Sequence, residues 1–337
     1  MTNRESAPLG ACGQGSDSLA PLVLEPGCPV FMASGQGSQK PGMGASLLDV
    51  PEVAETFQCA SDVLGRDVAA LVSAQGPEGA EALNDTRNAQ AAIATLSIGI
   101  GRALMARGVR PAALLGFSLG QISALALAEM VSLEDAFRIL DVRSAAMAEA
   151  AAAAPGAMSA LLKADEAGVQ ALCEACAQGD TLVAANFNAP GQIVISGTAD
   201  AVARAEEAWK QQGGRASRLA TAGAFHSPMM AEAAQQFGQF LATVPFAEPV
   251  VPLVCNTDAA PVDAATVRQR LVDHLTHPVL FSQSVQRLRA AGASTFVEVG
   301  FGGVLSGLAK RIDKEAARFC VQDSDSFDDY LAQATGV

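Results

Sequence analysis

The stretch ALLGFSLGQISALALAEM, residues 113–130, allows few folds. A short apolar run stops at Gly116-Phe117-Ser118-Leu119-Gly120, and a small-residue segment of helical character follows at once. Such a run, punctuated by glycines, reads as a buried strand that turns a sharp corner into a helix. The glycines let the backbone bend and let strand and helix pass close together. At that corner the side chain of Ser118 is held up above the sheet edge, where a nucleophile would stand. The helix behind it presents free N–H groups and the positive end of its dipole. The N–H of Leu119 is the natural first donor to an oxyanion. The same spacing also suits a close-packed turn with no chemistry.

A serine hydroxyl needs a base. The chain has three histidines, His226, His274 and His277. His226 stands in AGAFHSPMM, a loop that returns to the main body of the chain. His274 lies in the helical stretch RLVDHLTHP, and His277 precedes a proline, where a capping or surface role is expected. His226 leads on loop position, although each could be a satisfied structural imidazole.

Along the chain, PVFMA (29–33) reads as a strand running into the glycine-rich loop SGQGSQ; that loop lacks the G-K-[ST] ending of a phosphate loop. Helical segments are expected over 46–75, 88–108, 119–130 and 133–153, with a strand at 111–117. From residue 156 the order becomes strand (157–162), helix (165–178), two strands (TLVAANF and GQIVISG), helix (199–212) and strand (RASRLA). That β-α-β-β-α-β order is a ferredoxin-like unit over residues 156–222, inserted in a larger domain of residues 29–155 and 223–320. PLVCNTD and STFVEVG are further strands of the larger domain, with helices at 227–243, 264–275, 281–291 and 303–312. Residues 1–28 read as a loose extension without the basic and apolar regions of a signal peptide, and 321–337 as a tail.

Composition narrows the classes. Half of the residues are hydrophobic but only 5% aromatic, so the core must be built from Ala, Val and Leu. A net charge of −13 argues against nucleic acid or an anionic membrane as partner. No apolar stretch reads as long enough to span a bilayer. The seven cysteines are scattered; Cys173 and Cys176 have no second pair or nearby histidines to make a metal site, and they are expected to pack along a helix face. A reducing cytoplasm is expected. No metal or bound cofactor is implied.

The segments GQGSQKPGMG, GFSLGQISAL, RSAAM, NFNAPGQIVISG, AFHSPMM, HPVLFSQSV and EVGFGGVLSGLAKRI occur in this order. Together they resemble the malonyl-CoA:acyl carrier protein transacylases of fatty acid synthesis, over nearly all of residues 29–315. The acyltransferase domains of polyketide synthases are similar. The resemblance implies an α/β-hydrolase-like large domain with an inserted ferredoxin-like small domain. It also implies transfer of malonyl from malonyl-CoA to the phosphopantetheine thiol of acyl carrier protein, through a malonyl-serine ester.

By this resemblance Ser118 is the nucleophile and His226 the base, oriented by the backbone carbonyl of His274, where related enzymes carry Gln or Asn. The backbone N–H groups of Gln36 and Leu119 form the oxyanion hole. Arg143 holds the free malonyl carboxylate, a role its planar fork of donors suits; alone, DVRS would read as a helix-surface arginine. Phe225, in A-F-H, goes with malonyl rather than methylmalonyl. Gln90 lines the acyl pocket; Asn186, Asn188, Gln192 and Arg215 line the path of CoA or pantetheine. Three departures stand out. Phe117 replaces the usual histidine and implies an apolar surround on that side of Ser118. Gln121 replaces glutamate. Ser34 replaces proline and is expected to loosen the glycine-rich loop. An acidic carrier protein would need a local cationic face, for which Lys310, Arg311, Arg215 and Arg218 are candidates. A monomer is expected.

Other readings remain open at this point. A serine hydrolase or thioesterase would share Ser118 and His226 but would want a carboxylate between them in chain order. Asp165, Asp180 and Asp200 lie in that interval, within the inserted unit. A non-catalytic assembly subunit would explain Phe117. A malonyl transferase of a malonate decarboxylase or polyketide system would keep the chemistry in another pathway.

Overall fold

In a computed structural model, residues 22–221 and 223–335 are described; the extension expected over residues 1–28 lies outside them up to residue 21. The elements run β1 (Val30–Ala33), α1 (Pro51–Leu64), α2 (Val68–Ser73), α3 (Gly76–Asn84), α4 (Thr86–Ala106), β2 (Ala113–Gly116), α5 (Gly120–Leu127) and α6 (Leu133–Ala153). Next come β3 (Gly156–Ala164), α7 (Glu166–Ala177), β4 (Leu182–Ala189), β5 (Gly191–Thr198), α8 (Ala199–Gln211) and β6 (Arg215–Arg218). The chain closes with α9 (Ala231–Leu241), β7 (Leu253–Val254), α10 (Val267–Asp273), α11 (Phe281–Ala290), β8 (Thr295–Val299), α12 (Val304–Ile312), β9 (Ala317–Val321) and α13 (Ser324–Thr335).

One sheet has the order β7-β2-β1-β8-β9, and every pairing in it is parallel. β1 and β2 are buried along their whole length, as continuous apolar strands covered on both faces must be. The chain steps from β1 to β2 on one side and later to β8 on the other. The carboxyl ends of β1, β2 and β8 therefore meet at a topological switch point, the place where open parallel sheets form clefts.

α4 packs against α1, α5 and α6. It is long and apolar enough, by length and composition, to cross a bilayer, contrary to the expectation that no stretch is. Its apolar character serves the interior instead, because every residue from Ala89 to Gly101 is buried in protein. Asp85 caps it by accepting the N–H groups of Arg87 and Asn88.

The other sheet has the order β4-β5-β3-β6, antiparallel throughout. α7 and α8 supply Val169, Leu172, Val202 and Trp209 to its core, beside Leu161, Ile193 and Ile195. Cys173 and Cys176 are buried there on α7, the packing their spacing suggested. An isolated parallel bridge between Asn186 and Val279 ties this sheet to the segment before α11.

Two further expectations fail. The strand expected over PLVCNTD shrinks to Leu253–Val254, because Cys255 bonds to the Ala260 carbonyl in a turn and Asn256 is engaged elsewhere. The tail expected from 321 is part of the fold. β9 extends the parallel sheet beside β8, and α13 buries Phe327 and Tyr330. The edge strand ARFCV is short and mostly half-buried, without the continuous burial of a central strand, so its partner is visible only in three dimensions.

Candidate active site

The corner after β2 leaves no room for side chains at its two glycines. A Cβ at Gly116 would overlap backbone atoms of Gly120 and Gln121, and one at Gly120 would overlap the Ala33 carbonyl. Only glycine lets α5 sit this close to β1 and its own strand. Ser118 takes φ +50°, the left-handed region, which costs a non-glycine residue about 1–3 kcal/mol and must be held by its surroundings. The Gly120, Gln121 and Ile122 N–H groups close the first turn on the carbonyls of Phe117, Ser118 and Leu119.

Ser118 Oγ lies 2.7 Å from His226 Nε2, and His226 Nδ1 lies 2.8 Å from the His274 carbonyl oxygen. A carbonyl can only accept, so Nδ1 carries the proton and Nε2 offers its lone pair to the serine hydroxyl. Both ring nitrogens are thus used, and neither meets a carboxylate. Of the aspartates that a triad could have used, Asp165 caps α7 and Asp180 pairs with Arg204. Burial, then the charge of Arg143, pushes the His226 imidazole down to about 4. It is therefore neutral at physiological pH. Burial likewise holds His274 well below its ordinary value, and its own Nε2 has no partner among the described residues.

Arg143, on α6, is only 2% exposed. Its Nη1 donates to Gln90 Oε1 at 3.0 Å and its Nη2 to Ser118 Oγ at 3.3 Å. Burial lowers its pKa to about 10, so it stays a cation at neutral pH. Among the described residues no acidic side chain pairs with it. Stranding a buried charge this way costs about 3–5 kcal/mol when a partner has been removed. A pocket so arranged favours an anion placed beside the nucleophile. Gln90 Nε2 in turn reaches Gln36 Oε1 at 3.4 Å, which brings the glycine-rich loop to the same cluster.

The departures are accommodated locally. Phe117 packs edge-on against Phe281, with ring centroids 5.4 Å apart, giving the apolar surround expected there. Gln121 is buried and accepts the Asn256 N–H at 3.2 Å. Ser34 does not loosen its loop. It is 1% exposed and donates to Glu298 Oε1 at 3.3 Å, while Ser38 Oγ bonds to the Gly35 carbonyl. Burial pushes the Glu298 carboxyl up, and Ser306 N–H, in the first turn of α12, holds its other oxygen at 2.8 Å.

The remaining sequence-derived positions are dispersed. Phe225 is buried beside His226 in the chain, and Asn186 and Asn188 are buried on β4. The Asn188 Oδ1 atom has no partner among the described residues. Gln192, on β5, is bonded by Arg311 Nη1, and Arg311 also donates to the Pro190 carbonyl. Arg215 lies on the edge strand β6, opposite Leu162. Arg218, a candidate for the free cationic face, is instead held by Glu206 through two bonds of 2.8 Å. Sequence reasoning missed Asn256 and Glu298. Both are buried polar residues inside or just past apolar strands, and that placement was the only signal available.

Residues 30–321 match the acyl transferase domain family. The malonyl CoA-acyl carrier protein transacylase of Salmonella typhimurium is 41% identical over 286 residues, 84% of this chain and 92% of that protein. A crystal structure of malonyl-CoA:acyl carrier protein transacylase from Xanthomonas oryzae aligns with a TM-score of 0.86 at 41% identity, covering 90% of this chain and 97% of that one. A malonyl-transacylase solved in complex with a type II polyketide acyl-carrier protein aligns at 0.86 and 37% identity, covering 91% of this chain and 99% of its own.

Proposed function

This chain belongs to the acyl transferase domain family, and on that premise we propose that it moves malonyl from malonyl-CoA to the phosphopantetheine thiol of acyl carrier protein. The observation that carries the substrate class is Arg143, a buried cation with no counter-ion among the described residues, 3.3 Å from the nucleophile. An acyl group ending in a carboxylate completes that pair; a neutral acyl group leaves it open.

Ser118 Oγ attacks the thioester carbonyl while His226 Nε2 takes its proton. The N–H groups of Leu119 and Gln36 stabilise the oxyanion, each donor contributing about 3 kcal/mol in sites of this kind. The intermediate collapses, the C–S bond breaks, and His226 returns the proton to the CoA thiolate. The carrier-protein thiol then enters, gives its proton to His226 and attacks the malonyl-serine ester. Ser118 leaves with that proton, and the free enzyme is restored. Asn188, whose buried Oδ1 has no partner among the described residues, suits an amide N–H of the pantetheine arm. Asn186, Gln192 and Arg215 extend the same path, and Phe225 crowds the α-carbon.

The parallel sheet supports an α/β-hydrolase-like reading of residues 29–155 and 223 onward. The strand order β4-β5-β3-β6, with α7 and α8 packed on it, supports a ferredoxin-like reading of 156–222. With Arg218 and Arg311 already bonded, Lys310 and Arg215 are the cations left for carrier-protein docking. A cytoplasmic monomer acting without nucleic acid or membrane fits the net charge of −13 and the enzyme's substrates. Fatty acid synthesis is the pathway such an activity serves.

Intact-protein mass after mixing with malonyl-CoA tests the proposal. The expected result is a malonyl adduct that disappears in Ser118→Ala and is discharged by phosphopantetheinylated carrier protein. Release of CoA to water at a rate indifferent to carrier protein would make the chain a thioesterase instead.

A further inference from the structure

We propose that Asn256 is the residue that holds the nucleophile corner in its reactive shape, a positioning role resting on Ser118 being the nucleophile proposed above. Asn256 follows β7, whose register against β2 (Leu114 with Leu253, Leu115 with Val254) carries it alongside the corner. It is 0% exposed. Its Oδ1 accepts the Ser118 N–H at 2.8 Å, and its Nδ2 donates to the Gly116 carbonyl at 2.7 Å. One planar amide thus grips both sides of Phe117, across the bend where Ser118 adopts φ +50°.

The amide is itself locked. Its backbone N–H donates to Gln121 Oε1 on α5 at 3.2 Å, and its carbonyl accepts the Leu280 N–H at 2.7 Å. Every polar group of Asn256 is therefore engaged, and none faces the substrate. A left-handed backbone at a non-glycine residue persists only where neighbours over-determine it, and these bonds do so. They have a second effect. With its own N–H occupied, Ser118 cannot turn that group toward the oxyanion, which leaves the role to the Leu119 N–H. Loss of the clamp lets Ser118 relax away from the 2.7 Å contact with His226 while Arg143 and Gln90 stay in place.

The test compares the parent protein, Asn256→Ala and Asn256→Asp. Malonyl-enzyme formation is timed by intact mass, and Ser118 labelling by a serine-directed sulfonyl fluoride is timed in parallel. If the parent labels with the sulfonyl fluoride but takes no malonyl, the substrate assignment fails while the positioning role is still read from the labelling rates. The expected result for Asn256→Ala is a fall of about a hundredfold in the acylation rate constant, with KM for malonyl-CoA within about threefold. Asn256→Asp is an isostere only when protonated, because a carboxylate cannot donate to the Gly116 carbonyl. Its acylation rate should therefore rise as the pH falls from 8 toward 5, a slope the parent lacks. Acylation by a folded Asn256→Ala within threefold of the parent, or a loss confined to KM, overturns the proposal. So does a flat pH profile in Asn256→Asp, or failure of both variants to fold.

Discussion

Replacing Arg143 by glutamine should move the pH dependence of acylation in a direction and by an amount the geometry sets. His226 works as a base only while neutral, and burial together with the Arg143 charge holds its pKa down at about 4. In the parent protein, kcat/KM for malonyl-enzyme formation should be flat from pH 8 to 5. It should fall only as the pH drops through about 4, where His226 gains a proton and loses its lone pair. Arg143 Nη2 lies 3.3 Å from the hydroxyl that is 2.7 Å from His226 Nε2, so the two groups are at most about 6 Å apart. At that separation a cation opposes protonation by about 0.7 kcal/mol at the permittivity of water and about 2.8 kcal/mol at an effective permittivity of 20. Removing it raises the midpoint of the acid limb to between about pH 4.5 and 6. Burial, the larger cause, persists in the variant, so the limb stays below the ordinary histidine value. The assay is quench-flow acylation read by intact mass from pH 4 to 8. Each protein is scaled to its own plateau, so that weaker malonyl binding does not enter, and circular dichroism at each pH checks the fold. A variant whose limb coincides with the parent's, or lies lower, refutes the placement of the charge beside the base.

Two further substitutions probe the corner and the pocket. Gly120→Ala forces a Cβ into the Ala33 carbonyl, a backbone contact that cannot yield cheaply; a loss of about 3 kcal/mol or more is expected from chemical denaturation, and a change below about 0.5 kcal/mol would contradict the close pass. Phe225→Ser removes a ring from beside His226, so the preference for malonyl-CoA over methylmalonyl-CoA should weaken by about 10- to 200-fold in kcat/KM; an unchanged ratio would free Phe225 of any part in selectivity.

Glu298 and Ser34 show how a departure from the family's residues can be absorbed. Read in sequence, a serine in place of proline suggests a looser loop. In the fold, that serine meets a carboxylate from β8 some 264 positions away and becomes a tether. A buried acid and a buried hydroxyl satisfy each other there, at a point where either alone would be costly.

Most of the strands and helices, and the corner, were legible in the sequence because short-range forces make them. Apolar periodicity marks a buried strand or helix face, and glycines flanking Ser118 mark a bend no side chain could share. The β-α-β-β-α-β order of residues 156–222 was readable for the same reason. The resemblance added roles for Ser118, His226 and Arg143, each tied to a motif. Tertiary structure decided what local rules do not reach. It joined Ser118 to an imidazole 108 positions away and to an asparagine 138 positions away. It made Arg143, which reads alone as a surface residue, a buried cation with no counter-ion among the described residues, and it drew residues 317–335 into the sheet and its covering helix. The physical reason is that burial of charge and satisfaction of polar groups depend on which distant segments arrive, whereas backbone sterics depend only on neighbours.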